Sequence, residues 1–267
     1  MTHAPGRFIW ITPGRVLHGA LLVAPSVRRL GAWALYFSRD ATLRISIQAS
    51  RDGVERWQEG RLAVVPPYRR HLVASQGRRL PDMLIEPETI DLARVPNPLR
   101  RVLSGEGIID LAEPGAEDFL DRLCNAHDRL VAGTGALRRD DEGFDRLVFG
   151  SKLPVRVLDA RISRSLALLQ QHGTAKLSAE QLAASVQLSF WRFLHLFKDE
   201  VGVPLRTFRS WKRARSLLHF VNSESNLARL AQETGYPDST HLSHSIRQVY
   251  GLKPREILRK LPRPSEA

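Results

Sequence analysis

Leu227-Ala-Arg-Leu230-Ala231-Gln-Glu-Thr-Gly235-Tyr236-Pro237-Asp238-Ser239-Thr240-His241-Leu242-Ser243-His244 reads as two short helices meeting at a tight turn. Leu227, Leu230 and Ala231 recur at helical spacing and form an inner face. Gly235-Tyr236-Pro237 interrupts that helix. Asp238 is a residue type that caps the next one by accepting bonds from its free first-turn amides. The second helix carries Leu242, Ile246 and Val249 along one apolar stripe. Ser239, Thr240, His241, Ser243, His244 and Arg247 are left near or on its outer side. They are small donors and acceptors with cations, the chemistry that suits base edges and phosphates.

A similar passage lies upstream. Ser178-Ala-Glu-Gln181 is a capping box, in which the serine hydroxyl and the glutamine side chain each satisfy a free amide. Leu182, Ala183 and Val186 form the inner face, Gln187-Leu188 turns, and Ser189 is placed to cap a second helix. Phe193 and Phe197, four apart, fall on its buried side. Trp191, Arg192, His195 and Lys198 fall on the outer side and suit a major groove. The competing readings are that Trp191 packs on a neighbouring helix and that the histidines are simply solvated. Between the passages, residues 205 to 221 read as one helix about 25 Å long. Successive major-groove faces are ~34 Å apart, so helix offsets must supply the rest.

The charge distribution favours the same end of the chain. Of 267 residues, 40 are Lys or Arg and 28 are Asp or Glu, a net charge of +12. Residues 1–150 carry 21 basic and 19 acidic side chains, whereas residue 151 onward carries 19 and 9, a net +10. A polyanion-binding domain joined to a nearly neutral one fits this asymmetry, although a basic face can also be merely solvated. The length excludes a miniprotein and leaves room for two domains. A single cysteine, Cys124, excludes an intramolecular disulfide and a cysteine-based zinc finger. No apolar run reaches the ~18 residues of a membrane span. Met-Thr-His-Ala-Pro-Gly-Arg at the start lacks an apolar signal core, so a cytoplasmic location is expected.

The first 90 residues read as short strands at 16–23, 32–37, 43–47, 62–65, 71–73 and 83–85, separated by turns. A small β-barrel or jelly roll accommodates them. From Glu113 to Val131 the period becomes helical, with Phe119, Leu120, Leu123, His127, Leu130 and Val131 on one face. That stripe packs either on its own barrel or on a second copy of the chain. Polar residues without periodicity between 132 and 153 suggest a linker. The fragment beyond it is expected to fold alone.

The chain resembles the AraC/XylS-type family of bacterial transcription regulators over roughly Leu158 to Leu258. The matching residues are Leu188-Ser189, Phe193, Phe197-Lys198, Gly202 and Arg213 in the first unit. In the second they are Ala231, Gly235-Tyr236, Asp238-Ser239-Thr240, Leu242-Ser243, Tyr250-Gly251 and Pro254. His195 and His244 stand where the family usually has arginine, and Leu242 and Ile246 where it has phenylalanine. The apolar exchanges keep core character. The resemblance implies an α+β chain: a cupin-like β-barrel for sensing or dimerisation (1–112), a helical connector and linker (113–150) and a double helix-turn-helix domain (151–267). It implies double-stranded promoter DNA as partner, a small-molecule effector or a homodimer through the barrel, and RNA polymerase if the chain activates. Trp191, Arg192 and His195, with Ser239, Thr240, His241, Ser243 and His244, are the DNA-facing positions it implies, and the outer faces add Lys198 and Arg247. Arg206 and Arg209, like Arg247, are weaker phosphate candidates.

Gly60-Arg-Leu-Ala-Val-Val-Pro66-Pro67-Tyr68-Arg-Arg-His71 resembles the second cupin motif. If Gly31 opens the first, Phe37 and Arg39 occupy the positions of its two metal-binding histidines. One remaining histidine cannot hold a metal, which needs three or four converging donors. Neither a metal nor a cofactor is expected. Trp33, Tyr36, Phe37 and Trp57 either wall an effector pocket or fill the barrel, and Arg39, if it lines that pocket, favours an anionic effector. Two alternatives to a sequence-specific regulator are a non-specific nucleoid protein and an enzyme. A cupin enzyme lacks ligands, and an alkyl-transfer enzyme would rest on Cys124 with His127 one turn away.

Overall fold

The structure, a computed structural model, describes residues 8–19, 26–47, 56–75, 80–132, 140–172, 177–220 and 226–254. Its strands are β1 (Phe8–Ile11), β2 (Arg15–Gly19), β3 (Arg28–Arg29), β4 (Trp33–Phe37), β5 (Leu43–Ile47), β6 (Gln58–Gly60), β7 (Leu62–Val65), β8 (Arg70–Ser75), β9 (Asp82–Ile85) and β10 (Gly107–Ile108). They form two antiparallel sheets, ordered β1-β2-β9-β4-β7-β10 and β3-β8-β5-β6. Among the described residues the sheets do not close into the expected cupin-like barrel; they face each other across a common core.

Strand β4 explains the layering. All five of its residues are buried, because successive side chains point to opposite faces and both faces are covered. Ala34 and Tyr36 enter the core shared with Leu43, Ile45 and Val73 of the smaller sheet. Trp33, Leu35 and Phe37 enter a second core beneath α1 (Leu99–Leu103), α2 (Ala116–Val131) and α3 (Asp141–Phe149). The α2 stripe therefore packs on its own sheet through Phe119, Leu120, Leu123 and Leu130, while Val131 remains 39% exposed.

Helix α3 lies inside the stretch read as a linker. Asp140 accepts from the Gly143 amide at 2.7 Å. Phe144, Val148 and Phe149 enter the second core, and Asp145 holds the buried Arg15 at 2.9 Å. The polar run that masked this helix is its cap and first turn, where acidic residues complement the helix dipole. Residues 133–139 of the proposed linker lie outside the described residues.

The C-terminal helices are α4 (Ala160–His172), α5 (Ala179–Ser185), α6 (Phe190–Val201), α7 (Leu205–Ser216), α8 (Leu227–Glu233) and α9 (Ser239–Tyr250). The helix expected from 205 to 221 is thus shorter: α7 spans about 18 Å and ends in a tighter 3-10 turn, Leu217–Phe220. Leu217 and Leu218 in that turn are both buried. Helices α4, α5, α6 and the start of α7 have their own core around Ile162, Leu182, Phe193, Phe197 and Phe208. The rest of α7, with α8 and α9, instead shares the core between the sheets through Trp211, Leu217, Leu230, Leu242 and Ile246. A fragment from about residue 151 therefore keeps the first of these cores and gives up the sheets' share of the second.

Polar contacts reinforce this union. An added Cβ on Gly31 would lie 2.3 Å from Cγ of Trp211, so the indole seats against a position without a side chain. The Trp211 Nε1 donates to Glu86 at 3.2 Å. Lys212 pairs with both Glu86 and Glu88, and Arg215 Nε lies 2.8 Å from Glu86. Burial pushes the Glu86 carboxyl up, but Lys212 and Arg215 outweigh it and hold the group down at about 2. Burial and the charge of Glu86 raise its neighbour Glu88.

Candidate nucleic-acid interface

Both turns are set by local chemistry. Ser178 Oγ accepts from the Gln181 amide at 3.1 Å and Gln181 Oε1 accepts from the Ser178 amide at 2.7 Å, completing the capping box. Gln187 takes φ 57° in the turn to α6. Ser189 stands at the N-cap position, but its hydroxyl makes no bond to the helix amides, which departs from the expected cap. In the second unit Asp238 accepts from the amides of Thr240 and His241 at 2.7 and 2.8 Å.

The helical phases agree with the sequence reading. Phe193 and Phe197 are fully buried, whereas Trp191 is 69% exposed and Arg192, His195 and Lys198 are exposed beside it. The Trp191 ring meets that of Phe190 edge-on, with centroids 5.1 Å apart. His195 Nδ1 lies 2.7 Å from the Trp191 carbonyl oxygen. On α9, Thr240, His241, His244 and Arg247 are exposed, and Leu242 and Ile246 are fully buried. Ser239 and Ser243 are half-buried, and the Ser243 hydroxyl donates to the Ser239 carbonyl at 2.7 Å. These two serines are thus less open to a partner than the four residues around them.

Two arginines have structural duties that sequence spacing did not reveal. Arg209 donates to the Leu177 carbonyl at 2.7 Å, which ties α7 to the start of the first unit and occupies that nitrogen. Arg213 donates to the Gly235 carbonyl and lies 5.6 Å from the centre of the Tyr236 ring, fixing α7 against the second turn. Arg206 is exposed. Arg213 belonged to the matching motif residues, but only the fold supplies its partner.

The sheet domain holds the remaining candidates. Phe37 faces the core opposite to that of Tyr36, whose hydroxyl lies 2.8 Å from His71 Nε2. His71 Nδ1 lies 3.1 Å from the Arg69 carbonyl oxygen. The carbonyl can only accept, so Nδ1 carries the hydrogen and Nε2 accepts from the tyrosine. Arg39 is directed at α2, 2.9 Å from Asn125 Oδ1 and 3.3 Å from Asp121. The positions matched to cupin ligands therefore do not converge. Trp33, Tyr36 and Phe37 are core, and Trp57 is half-buried with Arg44 over its ring. A small pocket does open between the sheets and α9, lined by Arg28, His18, Asp82, Leu218 and Tyr250 among others. Arg28 is 3% exposed, and its Nε and Nη2, with Asp82 Oδ1 and His18 Nε2, have no hydrogen-bond partner among the described residues.

Burial lowers His71 to about 4. An unfolded histidine takes its proton near pH 6.5, so the unfolded chain binds more protons between about 6.5 and 4. The His71 contribution is complete above that window and falls as the pH drops through it, by up to about 3 kcal/mol. Glu88, being raised, acts with the opposite sign. Denaturant titrations of wild type and His71→Gln at pH 7.5 and 4.5 isolate the effect: the variant will lose less stability on acidification.

Residues 182–260 match a helix-turn-helix domain family. Invasion protein InvF of Salmonella typhi is 28% identical over 90 residues, covering 33% of this chain and 42% of InvF. The MmsAB operon regulatory protein of Pseudomonas aeruginosa is 33% identical over 89 residues, 33% of this chain and 29% of that protein. The HTH-type transcriptional activator RhaS of Klebsiella pneumoniae is 27% identical over 100 residues, 37% of this chain and 36% of RhaS. The chain thus covers less than half the length of each of these relatives. Apo ToxT of Vibrio cholerae has a similar fold over 95% of this chain and 100% of its own, with TM-score 0.56 at 11% identity. ToxT with an unsaturated fatty acid bound gives 0.54 over 97% and 98%, also at 11% identity. At this identity the likeness is one of fold, and it includes the sheet domain. The two helix-turn-helix units, the matched domain family and the relatives similar over this part of the chain identify its C-terminal part as a helix-turn-helix domain, similar to that of the AraC/XylS-type regulators which its motif residues resemble.

Proposed function

We propose that the chain is a sequence-specific, DNA-binding transcription regulator whose sheet domain responds to a small effector. The carrying observation is the pair of helices α6 and α9, each burying one face and exposing a polar, partly cationic one. The relatives named as regulators support this reading over an enzyme or a nucleoid protein. Cys124 offers little to catalysis, since burial pushes its thiol up to about 11 and thiolate is the reactive form.

The test is binding of the full chain to a selected site and to random DNA at several salt concentrations. Phosphate contacts release counterions, so log K will fall with log salt with a slope of several units. The selected site will be preferred roughly 10³-fold or more. Equal binding to both DNAs would favour the nucleoid reading, and a flat salt response would remove the electrostatic one.

We assign the effector seat to the pocket beside Arg28, which replaces Arg39 as the cation facing it. Its unpartnered guanidinium nitrogens match a carboxylate-bearing ligand. ToxT, of similar fold, has been solved with an unsaturated fatty acid bound. A ligand of this class will raise Tm in a melting titration, by the equivalent of about 2.7 kcal/mol at 100 times Kd. Arg28→Met will abolish the rise; an unchanged rise in that variant places the ligand elsewhere.

A further inference from the structure

We infer that His195 determines specificity in the first reading helix by accepting a hydrogen bond from an exocyclic amine, that of cytosine or adenine. This rests on the reading of α6 as a groove-facing helix. The decisive observation is the 2.7 Å contact between His195 Nδ1 and the carbonyl oxygen of Trp191, one turn earlier on the same helix. A carbonyl oxygen has no hydrogen to give, so Nδ1 is the donor. A neutral imidazole has one N–H only, and its second nitrogen, Nε2, is then a pure acceptor. The backbone thus selects the tautomer and leaves the acceptor on an exposed residue.

The major groove converts this into a base preference. Guanine presents two acceptors there and thymine one acceptor with a methyl group, whereas cytosine and adenine present amines. A lone-pair acceptor pairs with the amines and opposes the guanine edge. An arginine at this position, all donors, has the reverse preference. Arg192 and Lys198 on the same face supply positive charge for phosphates, so His195 is free to discriminate between bases.

Two measurements on the full chain at pH 8, where imidazoles are neutral, test the inference. Nitrogen-15 NMR of the histidine rings, with His195 assigned by loss of its signal in His195→Gln, will show hydrogen on Nδ1. A ring protonated on Nε2 overturns the inference without reference to DNA. Site selection from a random library, repeated with His195→Ala and His195→Arg, reads the base. Wild type will favour cytosine or adenine at one position by about 5-fold or more over guanine. His195→Ala will level that position, and His195→Arg will turn it to guanine. An enriched site that His195→Ala leaves unaltered, or a guanine preference that it abolishes, overturns the role of His195 while the regulator reading stands. A library with no enriched site overturns both. The side chain is exposed, so the variants will keep the wild-type Tm, and His195→Gln provides a second neutral replacement.

Discussion

Trp211→Ala will lower the stability of the full chain by about 3–5 kcal/mol, the range for truncating a buried aromatic. Trp211 is 3% exposed, although it lies on the helix that connects the two helix-turn-helix units. Its ring occupies the space left by Gly31 and joins the core between the sheets to Leu217, Leu230 and Ile246. Its Nε1 donates to Glu86, so the substitution also removes one of the groups holding a carboxylate that is 1% exposed. Lys212 and Arg215 remain to neutralise that charge, which limits the loss to the cavity and one hydrogen bond. Chemical denaturation of the two proteins measures the effect. Gly31→Val will act in the same direction from the other side, because the Trp211 side chain leaves no room for another there. A loss below about 1 kcal/mol for Trp211→Ala would place it in the range of surface substitutions and dissolve the shared core. The fragment beginning near residue 151 has the same weakness. It retains the first unit's separate core, but uncovers Trp211, Leu217, Leu218 and Tyr250, which the sheets bury in the full chain. Its second unit will show lower hydrogen-exchange protection than its first.

What was legible in the sequence was local. The capping box at Ser178, the Asp238 cap and the buried spacing of Phe193 and Phe197 are contained within a few residues, and the structure bears them out. Strands β5 and β7 have the bounds read from their apolar runs, and β4 begins one residue later than expected. Elements defined by their partners were not legible. Strand β3 is two residues that exist as a strand because Arg28 and Arg29 pair with His71 and Arg70. Helix α3 hid behind its own acidic cap. The union of the second unit with the sheets depends on Gly31, Glu86 and Trp211, which are 125 positions apart in the case of the hydrogen bond and follow no period. Among the DNA-facing candidates, spacing gave the exposed side correctly, but could not show that Ser243 is engaged by the backbone or that Arg209 is committed to Leu177.

Phe193→Ala will cost roughly 3–5 kcal/mol of stability, whereas Trp191→Ala will leave Tm nearly unchanged and weaken binding to the specific site. Two residues apart on a helix are about 200° apart around its axis, so one side chain of this pair faces inward when the other faces out. Phe193 is fully buried, packed at 6.0 Å from Phe197, which in turn meets Phe208 edge-on at 5.5 Å. Removing its ring leaves a cavity in the first unit's own core, which Leu182 and Ile162 share. Trp191 is 69% exposed, with its ring edge-on to that of Phe190, so its truncation removes little internal packing. An exposed indole on the outer face gains burial only when something docks there, and its loss will cost on the order of 1–3 kcal/mol of specific binding. Its carbonyl, not its side chain, holds His195, so Trp191→Ala leaves that bond available and separates the two contributions. Thermal melting beside a binding titration for each variant decides the matter. If Trp191→Ala proves the more destabilising of the two, α6 does not present this face to DNA, and the contacts assigned to Arg192, His195 and Lys198 fall with it.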